Sequence, residues 1–297
     1  MSLIQLIALL LLSTLWGSTF LWTKILLEEF NPIAIVFFRC LFGLFFLLPI
    51  LMKKRLLPCM KLSPSLIVIS FLGATVPWTL MTMSLNYLET TLTGIINALT
   101  PIFGMVLSIL ILKTRAKYLD WLSLFIGFFG VFLIFLIKGV ALKPSEIVGT
   151  LIFVISTICY SLTGILSTKY QKHTSPYIMA YTTLLTATAV CGILTFFIHP
   201  SSFHYVIDLK YFSIFVIFGM LSSGYGYVIF YYLVAQGGPV YALLTTFIMP
   251  IVTLLLGYFL LDEKVTADML VGLLFIFTGI GLMNYQKRKE KLKRVTT

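Results

Sequence analysis

The chain has 297 residues, 60% of them hydrophobic and 10% charged, with a formal net charge of +11 and a mean hydropathy of +1.05. A soluble domain carries roughly 25% charged residues; this chain lacks the polar surface to cover itself in water, and its solvent is lipid. The positive charge does not read as a nucleic-acid face, because Lys and Arg sit between oily runs, where they mark a membrane surface.

Crossing a hydrocarbon core takes about 20 apolar residues in helix. Ten segments qualify: 4–27, 32–52, 65–87, 91–112, 119–137, 147–168, 176–198, 210–235, 239–260 and 266–286. In the first, STLWGSTFLWTK (13–24) breaks an oily run with hydroxyls, a glycine, two tryptophans and a lysine. At 100° per residue, Ser13, Trp16, Gly17, Phe20, Thr23 and Lys24 share one side, opposite Leu11, Leu15, Trp22 and Leu26. Trp16 reads as midplane lining, with Thr19 nearby and Gly17 allowing close helix approach. Trp22 reads as an interfacial anchor, and Lys24 as a side chain reaching the interface from the last turn.

In the second segment Arg39 lies about 12 Å from the start. Two readings stand: a structural ion pair or hydrogen bonds to helix-end carbonyls, and contact with a solute carboxylate. The third carries Thr75, Trp78, Thr79, Thr82 and Asn86, with Pro77 as a kink; Trp78 and Thr82 share a face. The fourth places Thr93, Asn97 and Thr100 on one face before Pro101. The sixth has Ser156, Thr157, Tyr160, Ser161 and Thr163; the eighth has SSGYGYVIFYY, with Tyr227 and Tyr231 one turn apart. The ninth has Tyr241 and Thr245 one turn apart, then Pro250. Hydroxyls and amides in such segments serve either as glue, bonding to their own or neighbouring helices, or as cavity lining. Pro101 and Pro250 are either gating hinges or static kinks.

From these we take Trp16, Thr19, Trp78, Thr82, Asn97, Tyr160, Tyr227, Tyr231 and Thr245 as candidate solute contacts, and Pro77, Pro101 and Pro250 as candidate hinges. No cofactor is called for. Asp and Glu fall in loops or near helix ends, so no midplane carboxylate is available for proton exchange or a divalent metal. Cys40, Cys59, Cys159 and Cys191 form no CxxC pair, and His173, His199 and His204 lack metal-like spacing. His199, His204 and Asp208 share one loop, the one cluster with enzyme-like chemistry; the chain reads as no enzyme. Glu263, just before the tenth segment, reads as a cap on that helix.

With the N-terminus inside, fifteen Lys and Arg fall in inner connections or the tail KRKEKLKR and four in outer ones, which places both termini in the cytoplasm. The first segment reads as a spanning helix rather than a cleaved leader. The chain also repeats itself. Pro32 and Pro176 open corresponding segments, NALTPIFGMVLSILIL (97–112) parallels TFIMPIVTLLLGYFLL (246–261), and Gly130 answers Gly279. Five helices is an odd number, so the halves lie upside down to each other. The expectation is an all-α integral membrane protein of ten transmembrane helices in two inverted five-helix repeats, 1–140 and 141–286, with a basic cytoplasmic tail, 287–297. Such repeats build transporters with a midplane site between the halves.

WGSTF (16–20), PIAIVFFRCLFG (32–43), the two Pro-centred runs, and LLDEK (260–264) followed by Gly272 and Gly279 together resemble the drug/metabolite transporter superfamily, in its EamA-type branch. The halves have diverged: Thr114 stands where Glu263 stands in the second half, and Tyr160-Ser161 stands for Trp16-Gly17. The resemblance implies a central cavity lined by helices 1, 3, 4, 6, 8 and 9. It also implies transport of amino acids, related metabolites or amphipathic drugs, with export as the expected direction. The residue types suggest a neutral, aromatic and hydroxylated cavity. The expected partners are the bilayer of the bacterial inner membrane and a small-molecule solute, and a monomer suffices. A flippase for a lipid or lipid-linked headgroup is the alternative the same fold could host.

Overall fold

Proline opens four of the long helices, where its missing N–H costs nothing and its fixed φ suits the first turn: Pro32, Pro64, Pro144 and Pro176. Asn31 Oδ1 accepts the Ile33 N–H at 3.0 Å and Ser63 Oγ accepts the Leu66 N–H at 3.3 Å, fixing two of these starts. The structure, a computed structural model, describes residues 3–113, 118–137, 143–237, 242–243, 245–267, 269–279 and 281–282. Tyr241, the connection 114–117, Lys138 and the basic tail lie outside the described residues.

Among the described residues, seven helices are long and apolar enough to cross a bilayer: α1 (Leu3–Leu26), α2 (Pro32–Lys53), α3 (Pro64–Ser84), α4 (Thr90–Leu112), α6 (Pro144–Tyr170), α7 (Pro176–Ile198) and α8 (Leu209–Gln236). Three further apolar helices complete the expected ten: α5 (Tyr118–Ile137), α9 (Thr245–Leu260) and α10 (Met269–Gly279). Short connections make successive helices antiparallel. One end of the bundle gathers Glu28, Glu89, Glu146, Asp208 and Glu263; the other gathers Lys53, Lys54, Lys61, Lys113, Lys169 and Lys172. We call these the acidic and basic ends.

The bundle is apolar outside and mixed inside. Phe45, Leu110, Phe196, Phe197, Ile217, Phe259 and Leu274 are exposed, whereas Ser13, Thr91, Thr100, Ser161, Thr183 and Ser223 are buried. Most buried hydroxyls bond within their own helix. Ser13 Oγ donates to Leu9 O at 2.7 Å, Thr182 Oγ1 to Ile178 O at 2.7 Å and Thr183 Oγ1 to Met179 O at 2.8 Å. That is the glue reading, realised mainly as back-bonding to the preceding turn.

The packing pairs the halves across each other: α1 lies on α9 as α6 lies on α4, and α2 on α8 as α7 on α3. Small residues permit the closest crossings. A Cβ on Gly17 would stand 2.7 Å from Val252 Cβ and 3.2 Å from Met249 O. One on Gly43 would stand 2.8 Å from Gly219 O, so α2 and α8 touch backbone to backbone.

The duplication extends to irregularities the sequence did not announce. α3 passes through one π-helical turn, Phe71–Thr75, and α8 through another, Gly219–Tyr225. Both lie at corresponding places: Trp78 follows the first and Tyr227 the second at the spacing that relates Pro101 to Pro250. A π turn leaves carbonyls without their usual partner. The halves supply the donors reciprocally. Trp16 Nε1 donates to Ser222 O at 2.9 Å, and the Tyr227 hydroxyl donates to Gly73 O.

α4 breaks between Asn97 and Thr100 because Pro101 has no N–H for the Asn97 carbonyl. The Thr100 hydroxyl takes that carbonyl at 2.5 Å. Pro250 lies inside α9. There the Thr253 hydroxyl donates to Met249 O and Pro250 O, both at 3.1 Å.

Candidate functional site

Beside the α4 break lies an interior cavity of about 50 Å³. Its wall comes from α1 (Trp16, Thr19, Phe20), α2 (Arg39), α3 (Pro77, Trp78, Met81), α4 (Asn97), α6 (Phe153, Ser156, Thr157, Tyr160) and α9 (Thr246, Met249). Arg39 lies seven residues from the start of α2 and Asn97 seven from the start of α4, each about 10 Å below the acidic end. In this conformation there is room for a few waters, not for a solute of drug size.

Of the residues singled out in the sequence, Trp16, Thr19, Pro77, Trp78, Asn97 and Tyr160 stand on this wall. The others do not. Tyr227 lies behind it, fully buried, stacked on Trp78 at 4.9 Å between ring centroids. The Tyr231 hydroxyl bonds the Thr183 hydroxyl at 2.9 Å. Thr245 Oγ1 donates to Ala242 O at 2.8 Å, and its neighbour Thr246 faces the cavity instead. Thr82 is buried away from the cavity, and Pro101 and Pro250 shape the backbone beside it. The expected lining by α8 is replaced by α2, because the Gly43–Gly219 crossing brings Arg39 inward under the π turn of α8.

Arg39 also corrects the expectation of a neutral cavity. It is 1% exposed and lies on the wall. Its guanidinium carbon sits 3.5 Å from the Trp78 ring centroid and 4.0 Å from that of Phe218. Nε donates to Ser223 Oγ at 3.1 Å, while Nη1 has no hydrogen-bond partner. Neither structural role expected for Arg39, an ion pair or a helix-end carbonyl, is what holds it; two ring faces and one hydroxyl do. Sequence reasoning had flagged its depth, and depth was the usable signal.

The Tyr160 hydroxyl is also buried without a partner. The cause is the broken symmetry of the π-turn capping. Ser222 O receives Trp16, and the equivalent donor for Gly73 O is Tyr160, but Tyr227 occupies that acceptor. Ser156 Oγ donates to Pro77 O at 2.6 Å and Ser161 Oγ to Thr100 O at 2.9 Å, tying α6 to the irregular stretches of α3 and α4. Asn97 Nδ2 reaches Met249 Sδ at 3.5 Å across the cavity rim.

A second cavity of about 220 Å³ opens nearer the basic end, bordered by Ser167, Gln171, Lys172 and Tyr231. Aromatic rings connect the two walls. Trp16 and Tyr160 pack at 5.6 Å between centroids, Tyr160 and Phe230 at 5.1 Å, and Phe230 and Tyr231 at 5.2 Å.

Three charged residues near the acidic end have structural employment. Lys24 Nζ donates to Leu85 O at 2.7 Å and reaches Leu88 O at 3.4 Å, capping the end of α3 rather than reaching into lipid headgroups. Glu263 caps α4, not α10: its carboxylate accepts the N–H and hydroxyl of both Thr90 and Thr91. Asp208 Oδ1 accepts the Lys210 N–H at 2.8 Å as the cap of α8, so the loop of His199 and His204 spends its carboxylate on structure. Among the described residues no group of three His, Cys, Asp or Glu could hold a metal ion.

The fold and the comparisons agree. A solved crystal structure, 14% identical in sequence, superposes with a TM-score of 0.68 over 94% of this chain and 95% of its own. An uncharacterized transporter of Archaeoglobus fulgidus is 25% identical over 282 residues, covering 93% of this chain and 97% of its own. The uncharacterized transporters YoaV and YvbV of Bacillus subtilis are 21% and 27% identical. They cover 94% and 93% of this chain, and 96% and 90% of their own lengths. The model of the EamA-like transporter family matches twice, at residues 3–136 and 147–285, once for each five-helix half. The chain is a multi-span membrane transporter protein and belongs to the EamA-like transporter family.

Proposed function

We propose that the chain exports small organic solutes, such as amino acids, related metabolites or amphipathic drugs, across the cytoplasmic membrane by alternating access. The observation that carries the reading is the pair of cavities set toward opposite ends of the bundle and separated by the rings of Trp16, Tyr160, Phe230 and Tyr231. A solute held against Trp16, Trp78 and Tyr160 passes when that layer parts and the acidic-end approach closes. The small volume of the cavity fits a conformation between loadings. The charge distribution supports cytoplasmic termini, with the basic end inside and the acidic end outside.

Reconstitution into lipid vesicles tests this. Vesicles loaded with a mixture of amino acids and aromatic amines should release at least one component faster than protein-free vesicles. Trp78→Ala and Tyr160→Ala should each lower that flux at equal protein incorporation. Flux unchanged in both variants would remove the cavity from the transport path.

A further inference from the structure

Resting on the transport reading above, we propose that the solute is an organic monoanion and that Arg39 pairs with its carboxylate. A buried cation in a membrane protein is costly unless paired. Arg39 is 1% exposed, its Nη1 has no hydrogen-bond partner, and among the described residues no acidic side chain lines the cavity it faces. The protein holds this guanidinium in place, between the Trp78 and Phe218 rings and on Ser223, without neutralising it. What is absent from the wall is an acceptor with negative charge. A carboxylate supplies one and makes short, charge-assisted bonds to a guanidinium edge.

The rest of the wall defines the remainder of the solute. Trp16, Phe20, Met81, Phe153 and Met249 offer apolar and aromatic faces, and the partnerless Tyr160 hydroxyl offers one further donor or acceptor. One guanidinium balances one negative charge, which favours a monoanion over a phosphate dianion. A free ammonium finds no carboxylate on the wall. An aryl or alkyl carboxylate therefore fits better than an amine of the same shape. The second cavity carries the same sign: among the described residues Lys172 is its charged residue, again with no acid on its border. Both chambers along the route attract anions and disfavour cations.

Three probes of matched shape separate the possibilities: 3-phenylpropanoate, 3-phenylpropanamide and 3-phenylpropylamine. Their binding is measured by the melting shift of the purified full chain in detergent, and their movement by efflux from vesicles. The carboxylate should bind about tenfold or more tightly than the amide or amine, the range expected of a buried charge-assisted pair. Arg39→Gln should erase that preference. If Arg39→Gln does not fold, the wild-type preference for carboxylate over amide decides by itself. Amide or amine binding and moving as well as the carboxylate would overturn the inference while leaving the transport reading intact. If none of the three binds, the inference falls. The transport reading falls with it only if the amino acid and amine mixture is also not released.

Discussion

Glu263 joins the two halves of the molecule, and its replacement should be felt as stability. Its Oε1 accepts the Thr90 N–H at 2.7 Å and the Thr90 hydroxyl at 2.6 Å; its Oε2 accepts the Thr91 N–H at 2.9 Å and the Thr91 hydroxyl at 2.6 Å. The two N–H groups are first-turn donors of α4 that no intrahelical carbonyl can reach, and Glu89, the residue before α4, makes no side-chain cap. The left-handed turn at Asp262 (φ 52°) aims Glu263 back at α4. Gly257 leaves room, since a Cβ there would stand 2.5 Å from Glu263 Oε2. In Glu263→Gln one oxygen keeps its two donors, while the new NH2 group faces the two donors of Thr91. Two charge-assisted bonds are lost and the remaining two weaken. At about 1.5–3 kcal/mol for a hydrogen bond to a charged group, with half returned by water at this half-buried site, the cost is about 3 kcal/mol. At roughly 2 °C per kcal/mol for a large domain, the melting temperature of the detergent-purified chain should fall by about 6 °C. Lys264→Gln, one residue on and exposed, should leave it unchanged. A Glu263→Gln midpoint within about 1 °C of wild type, or an equal fall in Lys264→Gln, would refute the cap.

Gly17→Ala should destabilise by about 1–3 kcal/mol, because the new methyl meets Val252 Cβ at 2.7 Å and Cγ1 at 2.9 Å; adding Val252→Ala, which removes Cγ1 and keeps Cβ, should recover part of the loss, read from the two melting curves. Trp16→Phe removes the donor to Ser222 O and should cost about 1–3 kcal/mol by leaving a buried carbonyl unpaired, again by thermal melting. Tyr160→Phe removes a hydroxyl that has no partner. It should leave the melting temperature unchanged or raised and lower solute flux in vesicles, a separation that a purely structural role for the hydroxyl would not give.

Much of the fold was legible because its signals are local. Length, hydropathy and the Pro–Gly punctuation place the helices, so that 32–52 in the sequence reading became Pro32–Lys53 and 176–198 became Pro176–Ile198. The site was legible in part. Trp16, Trp78, Asn97 and Tyr160 are polar or amphipathic residues inside apolar spans, and they reached the wall. Tyr227 has the same credentials, but a vacant carbonyl on the other half claimed its hydroxyl. Helical periodicity could not foresee this, because it assumes an unbroken α geometry and both α3 and α8 pass through π turns. Glu263 was misassigned for a related reason. The nearest helix in sequence is α10, whereas the nearest unpaired N–H groups in space belong to α4 of the opposite half.

The inverted repeat also frames what Arg39 would do in the proposed transport cycle. Were the halves identical, the conformations open to either side would exchange the roles of the halves and have equal energy. The cavity residues keep traces of that equivalence: Trp16 answers Tyr160, and Asn97 answers Thr246. Arg39 does not. At the spacing that relates Pro32 to Pro176 its counterpart is Thr183, a neutral residue bonded to Tyr231. The Arg39 cation on one half makes the cavity electrically lopsided; on the proposal above, a bound anion would be oriented toward α2, and two access states would hold it with different affinity. That difference would bias the populations of the two states when solute is bound. Net direction still follows the free-energy gradient, since no single site can drive a cycle. On the anion proposal, the divergence that spoils the sequence symmetry at Arg39 would give the two faces of the protein unequal affinities for the same solute.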